Sequence, residues 1–437
     1  MGCRLRSVRA AFVLGLAMCA APAAAAPDAA VAARLFAEAK VICERDGGRL
    51  WGRSLCGPIL LVDYTDRGVV ANQADPEGRL TRDGAVFRGV LPEEVIIANT
   101  PTEWLGTRWT QIVGPVPTDA AQRHVLLAHE LFHRIQPALG LTRPEVANQH
   151  LDTLEGRWLL QLEWRALARA IQARTAPQRR WAVGDALAFR RERYRLFPSA
   201  AADEAALEVA EGVPEYTGVM LGLTTNRERT AYAVHDLSAF VNAPTFVRSF
   251  AYATGPAMGL LLDRADHNWR SKLNAGKRLN ELLADGMGLT AGTGATLASR
   301  VARYDTGALR TVEVQRDQQR RARLTAFKAR LVDGPVLTLP LDKTNYQFNP
   351  QTLVPLEGVG TIYPSMRLVD DWGALEVDHG GALVRNDDNI ATVTAVRADP
   401  SGMSGDGWKL TLNPGWSVQK GRRTGDLLVV KVQEMGR

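Results

Sequence analysis

Histidine and cysteine are both scarce in this chain, with seven and four residues among 437. Two of the cysteines, Cys3 and Cys19, fall in a leader-like segment, which leaves Cys43 and Cys56 as a single pair. A pair of that kind in an exported protein is expected to close a disulfide. A metal role for it would need two further ligands nearby, and the neighbouring sequence offers none. Long apolar runs are missing too: the stretch from Ala10 to Ala20 is too short to span a bilayer. Charge of one sign is also lacking. Without Arg4, Arg6 and Arg9 of the leader, 50 basic residues face 47 acidic ones, a net charge of +3. That balance gives no reason to expect a nucleic-acid or anionic membrane partner. There is no internal repeat, and no low-complexity tract beyond the leader.

The leader itself is informative. Three arginines, an apolar run and Ala-rich residues up to Pro27 have the layout of a secretory signal peptide, residues 1–25, with the cut expected after Ala25. Cys19 invites a lipoprotein reading, but Met18 stands where a small residue is expected. Simple export, to the periplasm or the medium, ranks first.

The mature chain reads as α+β. Residues 26–118 form a first lobe, with a helix over 28–45 and strands at 58–63, 85–87, 94–98 and 109–113, separated by turn residues such as Arg82-Asp83-Gly84. An antiparallel meander is expected there. Residues 119–332 have helical periodicity, with segments at 148–174, 179–196, 201–222, 229–241, 245–263, 268–284 and 307–331. Within them 146–200 reads as an inserted helical pair. The charges around Glu163, Arg165 and Arg169, and the basic run from Arg310 to Arg330 with Glu313 and Asp317, read as solvated helix faces. Residues 333–437 return to β character as a small C-terminal domain, with strands at 336–339, 374–377, 391–396, 408–412 and 427–432.

Against the scarcity of histidine, His129-Glu130-Leu131-Phe132-His133 stands out. Residues four apart share one helix face, so both imidazoles can reach one metal ion, and Glu130 can take a proton from a water on it. Two imidazoles and a carboxylate would leave the fourth tetrahedral position of Zn²⁺ open. Leu126, Leu127, Phe132 and Ile135 mark the helix as buried, and Thr118 or Asp119 can cap it. A third histidine at HExxHxxGxxH spacing is excluded, because Gln136 and Leu139 occupy the diagnostic positions.

The remaining solution is a glutamate from a later helix. Glu211-Gly212-Val213-Pro214-Glu215 places Glu211 and Glu215 on one helical face. Here the chain resembles the gluzincin zinc metallopeptidases over roughly the tetrad helix, this helix and the strands before them. The resemblance implies His129, His133 and Glu211 as zinc ligands, Glu130 as general base, and Glu215 orienting one imidazole from behind. Three features depart from the family pattern. Pro214 lies within the ligand helix, so the helix is expected to begin or kink near Gly212. Arg134 stands where the family has an uncharged residue. The interval from His133 to Glu211, 77 residues, is long. That length leaves Glu155, which follows His133 after 21 intervening residues, as an alternative ligand, although Leu159 four residues on could not orient a histidine.

The resemblance further implies hydrolysis of peptide bonds, with an oxyanion donor from Tyr252 or, alternatively, His235. The strand 109–113 is either a core strand or the sheet edge along which an extended peptide would lie. Two other readings stay open: a zinc hydrolase of a non-peptide or cell-wall amide, and a catalytically silent, zinc-containing exported binding protein. The expected partner is a peptide or protein substrate; the sequence does not fix oligomeric state.

Overall fold

The computed structural model describes residues 28–432 except 93–94, 143–145, 147, 275, 291–294, 349–351 and 386–388. The expected signal peptide, with Cys3 and Cys19, lies outside the described residues, as does Glu94. The chain divides into two compact units, Met1–Ile135 and Gln136–Arg437, and both helices and sheets build them, as the α+β reading requires.

In the first unit, helix α1 (Ala29–Asp46) starts where the Asp28 carboxylate accepts the N–H groups of Ala30 and Val31, and stops at Gly47, whose φ of 58° suits glycine. Six strands follow: β1 (Ile59–Val62), β2 (Gly68–Ala71), β3 (Thr81–Asp83), β4 (Val86–Val90), β5 (Thr100–Trp104) and β6 (Thr107–Val113). They form one sheet in the order β3-β4-β2-β1-β6-β5. It is not the antiparallel meander expected, because β1 and β6 pair in parallel, Leu60 opposite Gln111. The cause is legible in β1: all four of its residues are apolar and buried, so it belongs in the middle of a sheet with a partner on each side. Residues 82–83, expected in a turn, are the end of β3, and the turn is Gly84–Ala85. The strand expected at 94–98 does not form over its described residues. There the Gln111 side chain accepts from the Ala98 N–H and donates to the Ile96 carbonyl, so a side chain serves that backbone in place of a neighbouring strand. β6 is an interior strand, which removes it as a docking edge; β5 and β3 are the edges.

Helix α2 (Ala120–Ile135) leaves β6 through residues 114–119 and is capped by Asp119, which accepts the Gln122 N–H at 2.9 Å. A two-pronged pair from Arg123 to Glu38, at 2.7 and 3.0 Å, fastens it to α1 and holds the Glu38 carboxyl below its usual range.

The second unit begins with helices α3 (Leu154–Gln172), α4 (Ala176–Leu196), α5 (Ala200–Leu207), α6 (Val213–Gly222), α7 (Asn226–Ala239) and α8 (Phe250–Ala265). After them come α9 (Trp269–Asn274), α10 (Leu279–Gly286), α11 (Leu297–Val301) and α12 (Ala308–Lys328). The single helix expected over 268–284 is two helices, and α11 was not expected. Glu163 is not on a solvated face: it is fully buried and pairs with Arg190 and Arg193 of α4, each at 2.7 Å. The same arginines reach Glu208 and Glu204, both fully buried, at 2.6 Å. Glu313 and Asp317 of α12 are likewise buried; Glu313 faces Arg157 at 3.2 Å and Gln161 at 2.7 Å.

The rest of this unit is β: β7 (Val336–Pro340), β8 (Asn345–Phe348), β9 (Val354–Leu356), β10 (Gly360–Tyr363), β11 (Met366–Asp370), β12 (Gly373–Val377), β13 (Ala382–Arg385), β14 (Ile390–Thr394), β15 (Ser404–Gly405), β16 (Trp408–Leu412), β17 (Trp416–Lys420) and β18 (Leu427–Lys431). They make a seven-stranded and a five-stranded sheet. Leu337, Leu339 and Val393 of the first sheet share one core with Leu368, Leu375 and Leu410 of the second. Among the described residues no helix is long and apolar enough to cross a membrane.

Candidate metal centre

Helix α2 buries His129 and Glu130, which are 3% and 4% exposed, among Leu127, Ala128, Leu131 and Phe132. The two histidine rings lie 4.7 Å apart, and their Nε2 atoms converge to 2.9 Å. That is close to the ~3.3 Å expected for two nitrogens on one tetrahedral ion at about 2.05 Å. Phe132 packs on Trp51, ring centres 5.1 Å apart. Arg134, the odd residue in the motif, has a local use. Its guanidinium donates to the carbonyls of Leu55 and Cys56 at 3.0 and 2.8 Å. It lies so tightly over Gly57 that a Cβ there would stand 2.4 Å from its Cζ. Cys56 is bonded to Cys43 of α1. The turn carrying His133 is thus tied, through the next residue, to a loop that a disulfide holds.

Glu211 sits in a different local structure. The break expected near Gly212 is present as a π-helical turn, Glu208–Gly212, between α5 and α6. Pro214 stands in the first turn of α6, where its missing N–H is tolerated. The Gln136 side-chain amide donates to the Val209 carbonyl at 2.9 Å and to that of Ala210 at 3.4 Å. Both oxygens of Glu211 are engaged from α8 and the residues just before it. The Tyr252 hydroxyl donates to Oε2 at 2.8 Å, and the Arg248 guanidinium lies 3.3 Å from Oε1. Glycine makes this approach possible: a Cβ on Gly255 would lie 2.1 Å from the Gly212 carbonyl oxygen, and one on Gly259 would lie 2.1 Å from the Tyr216 ring.

Ligand atoms of His129, His133 and Glu211 all lie within 4.8 Å of one another, a group that could hold a metal ion. Two imidazole nitrogens with one carboxylate oxygen suit a divalent transition ion and leave a coordination position for water. Glu155 is employed elsewhere: it stands in the first turn of α3, with Arg310 donating to it at 3.1 Å. Between the two oxyanion candidates, Tyr252 reaches Glu211, whereas His235 is exposed and lines a shallow groove with Gln172, Asn226 and Arg227. Glu215, one turn after Glu211, is buried. Its charge, after burial itself, pushes the carboxyl of buried Asp236 up to about 8.

Arg248, Gln136 and Asp236 were not foreseen. For Arg248 a signal existed: Arg248, Tyr252, Gly255 and Gly259 recur at helical spacing, a stripe of one donor pair and two small residues. Gln136 and Asp236 act through tertiary placement and leave no such pattern.

No family model, no curated protein and no solved structure matches this chain.

Proposed function

We propose that the protein is an exported zinc-dependent hydrolase of peptide bonds, similar to gluzincins in its chemistry. The observation that carries the reading is the convergence of His129, His133 and Glu211 within 4.8 Å, with buried Glu130 next to His129 on the same helix. A structural metal site has no use for such a base. The Cys43–Cys56 disulfide agrees with an oxidising compartment outside the cytoplasm.

Zinc held by these three residues would supply a water whose pKa falls towards about 7 and would polarise a scissile carbonyl. Glu130, buried beside His129, would accept a proton from water and return it to the leaving amine as the peptide C–N bond breaks. Glu215, buried one turn after Glu211, would orient one imidazole by accepting the N–H of its far nitrogen. Tyr252 and Arg248 hold the Glu211 carboxylate in one orientation, and the Tyr252 hydroxyl would be the donor to the developing oxyanion.

The test is a metal analysis of the mature protein, followed by turnover of unfolded fluorescent casein and, in parallel, of peptidoglycan. About one zinc per chain is expected, lost in His129→Ala and His133→Ala. Glu130→Gln should keep the metal and lose about a hundred-fold or more in turnover. Protein purified without chelators that holds no zinc would refute the reading. Turnover of peptidoglycan alone would move the substrate to a cell-wall amide, and zinc without either turnover would make this a silent binding protein.

A further inference from the structure

We propose that Gln136 is a positioning residue for Glu211, fixing the π turn that aims this carboxylate; the inference rests on the metal site proposed above. In the turn, the Val213 N–H bonds the Glu208 carbonyl, five residues back. The next donor in that wide ladder would be residue 214, which would serve Val209. Residue 214 is proline and has no N–H. The Val209 carbonyl therefore loses its helical donor in a segment where Val209 is 4% exposed, a place where an unmade hydrogen bond is costly. The Gln136 amide supplies the missing donor at 2.9 Å, from a side chain that is itself 7% exposed.

The consequence for Glu211 is directional. A π turn holds one residue more than an α turn, so relaxing it to α geometry would rotate flanking side chains by about 100° about the helix axis. Glu211 lies inside the turn, two residues past Val209, and meets Tyr252 and Arg248 only in the present register. Gln136 thus acts through Glu211, not on substrate.

The experiment measures zinc affinity by competition with a chromophoric chelator, together with the rise in Tm that zinc produces, for wild type, Gln136→Leu, Gln136→Glu and Gln136→Asn. The first two keep the size but remove a donor or set an acceptor against the carbonyls. They are expected to lose ten-fold or more in zinc affinity and most of the zinc-induced rise in Tm. Gln136→Asn retains an amide on a shorter arm and should fold with a smaller loss, which keeps the test decisive if the first two do not fold. Wild type and variants with equal affinity and equal zinc-induced shifts, on a merely lower baseline Tm, would overturn the positioning role while leaving the metal site standing. Failure of wild type to bind zinc would remove both.

Discussion

Replacing Gly255 by alanine should separate α8 from α6 and loosen the hold on Glu211. The new Cβ would lie 2.1 Å from the Gly212 oxygen and 2.4 Å from its carbonyl carbon and Cα. All three are backbone atoms, so no side-chain rotation relieves the clash, and restoring ordinary contact requires a shift of about 1 Å. Overpacking of that kind costs about 1–3 kcal/mol, offset by up to ~1 kcal/mol for alanine over glycine in a helix. A net loss of about 1–2 kcal/mol corresponds to a Tm lower by several degrees. Gly184→Ala is the matched control. It lies inside α4, and its Cβ would meet nothing nearer than Leu289 Cδ2 at 3.7 Å, so it should stabilise by about 0.5–1 kcal/mol. Because the 2.8 Å bond from Tyr252 to Glu211 cannot stretch by 1 Å, only Gly255→Ala should also weaken zinc binding. Thermal melts by circular dichroism and zinc titration read both effects. A Gly255→Ala protein as stable as Gly184→Ala would refute the close approach of the two helices.

Three further outcomes follow from the structure. Arg190→Leu leaves the fully buried Glu163 and Glu208 without their shared partner, and should cost about 3–5 kcal/mol in urea unfolding; a loss below 1 kcal/mol would contradict the buried network. Asp236, raised to about 8 by burial and then by Glu215, keeps in the folded state a proton that the unfolded chain, near 3.8, releases. Wild-type stability should therefore fall as pH rises from about 4 to 8, and the wild-type minus Asp236→Asn difference should shift by at least ~1 kcal/mol in favour of the variant; parallel pH profiles would refute this. Arg134→Ala removes two bonds from a charged donor to the Leu55 and Cys56 carbonyls and should cost about 2 kcal/mol, with the free-thiol count unchanged.

The α2 motif was legible because it needs only helical spacing: His129 and Glu130 are adjacent, and His133 lies about one turn further along the same helix. Spacing alone left both Glu211 and Glu155 open, the interval from His133 favouring Glu155 and the acid four residues on favouring Glu211; the two carboxylates differ in what each touches. Arg310, 155 residues beyond Glu155, claims one; Tyr252, 41 residues beyond Glu211, holds the other. Glu163 was misjudged for the same reason: its own helix shows ordinary charges, and its partners Arg190 and Arg193 lie 27 and 30 residues further along. The mixed sheet could have been anticipated, since Ile59–Val62 has no polar face. Short strands such as Asn345–Phe348, exposed or half-exposed throughout, have no apolar alternation to read.

The parallel pairing of β1 with β6 has a consequence for how the chain acquires its shape. Ile59 sits opposite Thr110, 51 residues later, and hairpin zipping cannot bring them together. During synthesis β1 emerges as a wholly apolar segment whose second partner arrives only after four other strands, so it is exposed to mispairing for that interval. Closure of this non-local contact should set the pace of the first unit. Since α2 follows β6 directly, the histidine helix gains its support at the last step of that unit's folding.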